Sequence, residues 1–177
     1  VRQANEDSYK ILPQRKLYVV CDGMGGHRAG EVASATACDL ITRLVDRHFD
    51  RLLQDDRLRL PRLFPPSTDV LAKATRIANH WIHRLSSGDP SLGGMGTTCT
   101  ALVLADWKAY LGHVGDSRLY LVRAGDIYCM TEDDSSVMEM VRQGMITREE
   151  ARSHVDRNVI LRVPGVLIVE AMAQAGG

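Results

Sequence analysis

The sequence predicts an α+β domain with helices layered on antiparallel sheet. Two β-rich runs come first, two long amphipathic patterns follow, and several more β-type runs then appear with no helix between them. Strands grouped in this way, rather than alternating one by one with helices, point to antiparallel sheet with helices packed on it. At 177 residues the chain has the length of about one domain, and its 45% hydrophobic content suffices for a core.

The elements follow in order. Ser8 to Leu12 and Leu17 to Cys21 are β-rich and separated by Pro13-Gln14-Arg15, which predicts a hairpin. A glycine loop comes next. From Glu31 to about His48, Ala33, Ala37, Leu40, Ile41, Leu44 and Val45 share one helical face. Residues 50–66 mix charges with three prolines and no period, so a surface excursion is expected there. Ser67 or Thr68 then caps a second helix with a broad stripe of Val70, Leu71, Ala74, Ile77, Ala78, Trp81, Ile82 and Leu85. Beyond a second glycine-rich turn, Gly88 to Gly96, the runs Thr97 to Ala105, Ala109 to Val114, Leu119 to Arg123 and Ile127 to Met130 predict an antiparallel meander. Ser135 to Gln143, stopped by Gly144, and Thr147 to Ser153, with Thr147 and Glu150 at capping-box spacing, predict two short helices forming a flap.

Charge and cysteine usage exclude several classes. Lys plus Arg and Asp plus Glu each number 22, so no global field favours nucleic acid or a membrane surface. Runs such as Ala101 to Ala105 are far too short to cross a bilayer. The four cysteines, Cys21, Cys38, Cys99 and Cys129, form no C-x-x-C pair and follow no leader, which predicts core or near-core thiols in a cytoplasmic protein. The chain opens on Val1, not methionine, and reads as a fragment.

Three acidic spots stand at expected strand ends: Asn5-Glu6-Asp7, Asp22 before Gly23, and Gly115-Asp116-Ser117. One aspartate beside glycine is commonly a turn former. Three are harder to explain so. Mg²⁺ and Mn²⁺ prefer carboxylate and carbonyl oxygens, and a strand end followed by glycine lets a side chain and a backbone C=O reach one ion, as Asp22 with Gly23 would. No zinc-type His/Cys cluster occurs. His27 in the glycine loop, His80 and His83 on the second helix, and Met138, Met140 and Met145 in the flap are read as packing or solvent-facing residues. Gly93 to Gly96 lacks the G-K-[ST] of a nucleotide loop.

Together, Val1-Arg2 with Asn5-Glu6-Asp7-Ser8, Asp22-Gly23-Met24-Gly25-Gly26-His27 with Ala29-Gly30-Glu31, Gly96-Thr97-Thr98, and Val114-Gly115-Asp116-Ser117-Arg118 resemble the metal-dependent serine/threonine protein phosphatases (PPM, type 2C), bacterial branch. Thr131-Glu132-Asp133, Gly144 with Ile146-Thr147, and Arg157-Asn158-Val159-Ile160 extend the likeness over residues 1–161. The resemblance implies an α-β-β-α sandwich of antiparallel sheets flanked by helices. It also implies two Mn²⁺ or Mg²⁺ ions with a weaker third. Asp22 would bridge two ions, Gly23 would give its carbonyl, Glu6 would bind the second ion, Asp7 would support the ligands, and Asp116 would hold the third. Arg2 would grip the substrate phosphate. The implied partners are phosphoproteins opposing a serine/threonine kinase, met by a monomer. Met24 stands where eukaryotic relatives carry histidine, and Asp134 where the bacterial pattern has it.

The family's later Ser-Asp-Gly and Asp-Asn motifs do not occur in this chain, so the fold is expected to be incomplete at its C-terminus. Residues 162–177 are expected to be an unrelated tail. Within it, Pro164 to Gly177 resembles the central-helix motif of hotdog-fold hydroxyacyl-(acyl carrier protein) dehydratases, with Glu170 at the place of their catalytic glutamate. Their H-F-P-G histidine partner is missing, so a helical or disordered end is expected, left by a junction of two reading frames. Hydrolysis of phosphoserine and phosphothreonine is therefore the first reading. A non-catalytic metal- or phosphate-binding remnant is the alternative, and a dehydratase fragment is a remote third.

Overall fold

The computed structural model describes residues 5–25, 29–57, 66–105, 108–157, 159–160 and 167–172. Its main sheet is antiparallel and runs β1 (Asp7–Leu12), β2 (Leu17–Met24), β4 (Cys99–Ala105), β5 (Lys108–Val114), β8 (Leu167–Met172), with the two-residue β3 (Gly96–Thr97) also paired to β2. The predicted α+β class holds. A 3₁₀ turn at Pro13–Arg15, closed by Lys16 at φ 45°, makes the first hairpin. In β2 the sequence LYVVCDGM alternates, placing Leu17, Val19, Cys21 and Gly23 in the core and Tyr18, Val20 and Asp22 on the opposite face.

Two helices cover that core face. α1 (Ala29–Arg57) brings Ala33, Ala37, Cys38, Ile41 and Val45, and α2 (Pro66–Gly88) brings Leu71, Ala74, Ala78 and Ile82, onto Leu17, Val19, Ala101, Val103 and Tyr110. Small residues early in α1 let it lie close on β2. No helix among the described residues is long and apolar enough to cross a membrane.

Several expectations need correcting. The first helix runs to Arg57, so part of the expected surface excursion is helical; 58–65 lie outside the described residues. The stripe of α2 is only partly covered, since Ile77, Trp81 and Leu85 remain exposed and Arg84 stacks 5.8 Å over the Trp81 ring. The meander is not one sheet: β6 (Tyr120–Arg123) and β7 (Asp126–Cys129) form a separate two-stranded sheet, because the chain leaves β5 through Gly115 at φ 105°. Cys129 is exposed, unlike the other three thiols. Residues 167–172 are neither helical nor structureless; they form a strand paired with β5 from Lys108↔Met172 to His113↔Leu167, putting Glu170 opposite Tyr110. An edge strand of β5 offers unpaired backbone groups to LIVEAM, whose β-branched and apolar residues suit a strand. The flap is as expected: α3 (Ser136–Arg142) ends before Gly144 at φ 72°, and α4 (Arg148–Ser153) starts at Thr147 in a full capping box with Glu150.

Candidate metal centre

The acidic motifs gather at one end of the main sheet. β2 continues past Asp22 to Met24 because Gly23 and Met24 pair with Thr97 and Gly96, so Asp22 lies inside the strand rather than at its end. Its backbone groups both point toward β4: the Asp22 N–H donates to Thr98 Oγ1 at 3.0 Å, and its C=O accepts from the Thr98 N–H at 2.9 Å and Thr97 Oγ1 at 3.0 Å. On its other side Asp22 is therefore in a non-hydrogen-bonded pair with Asp7, the closer kind, with Cα atoms about 4.5 Å apart. Two carboxylates directly opposite on one sheet face repel one another. A cation between them removes that repulsion, and an all-oxygen donor pair suits Mg²⁺ or Mn²⁺. The residues present thus fit a hard divalent ion.

Gly23 and Gly30 make a second feature. The Gly23 N–H donates to the Glu6 carbonyl at 3.2 Å, and a Cβ on Gly23 would sit 2.5 Å from that oxygen while overlapping the Gly30 carbonyl. A Cβ on Gly30 would overlap the Glu6 carboxylate. Both positions must lack a side chain for β2, the start of α1 and Glu6 to meet. Ser34 reinforces the junction by donating to the Glu6 carbonyl at 2.6 Å.

The third motif joins from β5. Ser117 Oγ lies 2.8 Å from Thr98 Oγ1, and Gly115 is seated so closely on Thr98 that a Cβ there would come within 2.7 Å of its Cγ2. Asp116, between these two anchored residues, is exposed. Arg118 holds Asp133 through two bonds of 2.9 and 2.7 Å, and Asp133, then Tyr120, push the guanidinium further up from its ordinary value. Glu132 takes Arg148 at 2.7 Å, so the Thr131 to Asp134 segment ties the flap to the sheet.

Asp7 and Asp22 are brought together, Glu6 lies beside Gly23 with its carboxylate turned to Gly30, and Asp116 stands apart at the end of β5. Among the described residues no three of His, Cys, Asp and Glu converge closely enough to hold an ion. Arg2 and His27 lie outside the described residues. Sequence reasoning passed over Thr98 and Arg118 although both sit inside the quoted motifs. It had no signal for His113, which only the register of β4 on β5 places, and it noted Asp134 only as a departure from the family pattern, whereas that buried side chain accepts the Gly115 N–H at 3.3 Å.

The profile of protein phosphatase 2C matches residues 2–169, nearly the whole chain. This chain belongs to the protein phosphatase 2C family. It is 41% identical over 165 residues to the serine/threonine protein phosphatase PstP of Mycobacterium tuberculosis, covering 92% of this chain and 28% of that protein. The crystal structure of the Mycobacterium tuberculosis phosphatase PstP/Ppp superposes with a TM-score of 0.78 at 37% identity, covering 99% of this chain and 70% of that one. The catalytic domain of PstP in complex with two manganese ions gives 0.73 at 35% identity, covering 99% and 69%. The protein phosphatase 2C match runs past Leu161 into β8. The chain spans about a quarter of the length of the PstP sequence and about 70% of the solved phosphatase chains.

Proposed function

We propose that this domain hydrolyses phosphoserine and phosphothreonine in proteins, with Mn²⁺ or Mg²⁺ as cofactor. The observation that carries the reading is the opposed pair Asp7 and Asp22, knit through Thr98 to Gly115-Asp116-Ser117, in a chain whose solved relative PstP was captured with two manganese ions. When bound, such ions supply an acidified water and neutralise charge developing on the phosphoryl group. The chain's own part is to hold oxygens in place: Asp22, the Gly23 carbonyl, Glu6 and Asp116 would hold the ions, with Asp7 supporting them. Arg2 grips the phosphate with its planar fork. The partners in this reading are phosphoproteins made by a serine/threonine kinase, and the protein acts as a cytoplasmic monomer.

The test is a thermal melt with and without Mn²⁺, paired with p-nitrophenyl phosphate hydrolysis. Mn²⁺ should raise the Tm by mass action, and Asp22→Ala should abolish that rise and the turnover. A Tm shift that survives Asp22→Ala sinks the assignment. A second reading, metal or phosphate binding without turnover, is favoured by the absence of a three-ligand cluster among the described residues. Mn²⁺ stabilisation without hydrolysis would select it.

A further inference from the structure

His113 is fully buried at the end of β5, on the same sheet face as Asp22 and Thr100. Its Nε2 lies 3.0 Å from the Gly115 carbonyl, which can only accept, so Nε2 carries the proton. In the neutral ring Nδ1 then accepts from the Thr100 hydroxyl, 3.0 Å away. The same Gly115 carbonyl also accepts the Asp134 N–H at 2.8 Å, while the Gly115 N–H donates to Asp134 Oδ2 at 3.3 Å. Asp134 thus holds both backbone polar groups of Gly115, and His113 shares the carbonyl from the sheet side.

A leucine or phenylalanine would fill the space without burying two ring nitrogens, which cost free energy unless both are bonded. What the imidazole adds is a fixed direction for the Gly115 carbonyl. The next residue is Asp116, and its other neighbour, Ser117, is tied to the Thr98 that also holds the Asp22 N–H. We propose that His113 is a positioning residue: with Asp134 it grips the Gly115 peptide and so sets Asp116 relative to Asp22, coupling that placement to the flap. The inference rests on the reading of Asp116 as a cation ligand only for its functional consequence.

Amide exchange of the 177-residue chain, followed by NMR in His113→Leu and His113→Gln, tests it. Loss of the Nε2 donor should speed exchange at the Gly115 and Asp134 amides about tenfold, the worth of one hydrogen bond, while Leu102 and Leu111 in β4 and β5 stay near wild type. His113→Gln, which keeps an N–H donor, should restore most of the protection. In a Mn²⁺ titration, broadening of the Asp116 resonance should need several-fold more metal in His113→Leu than in wild type. Should His113→Leu not fold, Thr100→Val, which removes the hydroxyl that bonds Nδ1 and holds the ring's orientation, should still speed the same two amides about threefold. Unchanged amides, an equal rise at Leu102 and Leu111, or a glutamine no better than leucine would overturn the inference. Changed amides without any Mn²⁺ broadening in wild type would uphold the positioning role and count against the metal reading instead.

Discussion

Gly23→Ala measures how tightly the end of β2 is pinched. An added Cβ would overlap the Gly30 carbonyl and stand 2.5 Å from the Glu6 carbonyl oxygen, where real Cβ atoms essentially never approach closer than 3.0 Å, so the backbones must part. Both obstructing groups, the Glu6 and Gly30 carbonyls, are main chain and cannot rotate away as a side chain would. Parting them lengthens the 3.2 Å bond from the Gly23 N–H to Glu6, worth about 1 kcal/mol. Overpacking adds about 1–3 kcal/mol. The expected loss is thus about 2–4 kcal/mol, a large share of a typical domain's stability. Urea denaturation followed by far-ultraviolet circular dichroism reads it as a drop in midpoint at constant slope. Gly88→Ala is the control, since nothing lies within 4 Å of a Cβ there and it closes α2. It should be neutral or stabilise by up to about 1 kcal/mol. If Gly23→Ala costs no more than Gly88→Ala, the close approach of β2, α1 and Glu6 is wrong.

Three further outcomes follow from other parts of the molecule. A thiol reagent on the native chain should titrate one cysteine, Cys129, quickly, and the other three only on unfolding, since Cys21, Cys38 and Cys99 are buried and the neighbouring Cys21 thiol, then burial, hold Cys38 well above the ordinary thiol range. Lys10→Met should lower stability by about 0.5 kcal/mol at neutral pH, because Lys10 bridges the half-exposed Asp39 at 2.6 Å and fastens α1 to β1. The Lys10 hydrogen bond lowers the Asp39 pKa below 3.8, so this contribution is full above 3.8, and the gap between Lys10→Met and wild type should close as pH falls through the lower folded-state value; a gap that persists in acid rules out the ion pair as its source.

Much of this architecture is legible because each local signal agreed with its surroundings. The alternation in β2, the alanine-rich face of α1 and the capping box at Thr147 are short-range patterns that tertiary packing left intact. What stayed hidden depends on pairing between distant segments. The end of β2 is set by Thr97 and Gly96 across the sheet, which kept Asp22 inside a strand that looked finished at Cys21. The division of the meander turns on a positive φ at Gly115, and the sequence around Glu170 carries a helix-like motif while an open sheet edge makes it a strand.

The same logic explains why the candidate site was readable as motifs but not as geometry. Glu6, Asp22, Thr98 and Asp116 are far apart in sequence, yet antiparallel register fixes their order once one pairing is known: Asp7 opposes Asp22, whose backbone bonds to Thr98, whose hydroxyl meets Ser117. Each link uses backbone or a hydroxyl rather than a carboxylate. That is a sound way to hold like charges near one another, because the repulsion between Asp7 and Asp22 is carried by ladder hydrogen bonds on both sides of β2 rather than by the side chains themselves.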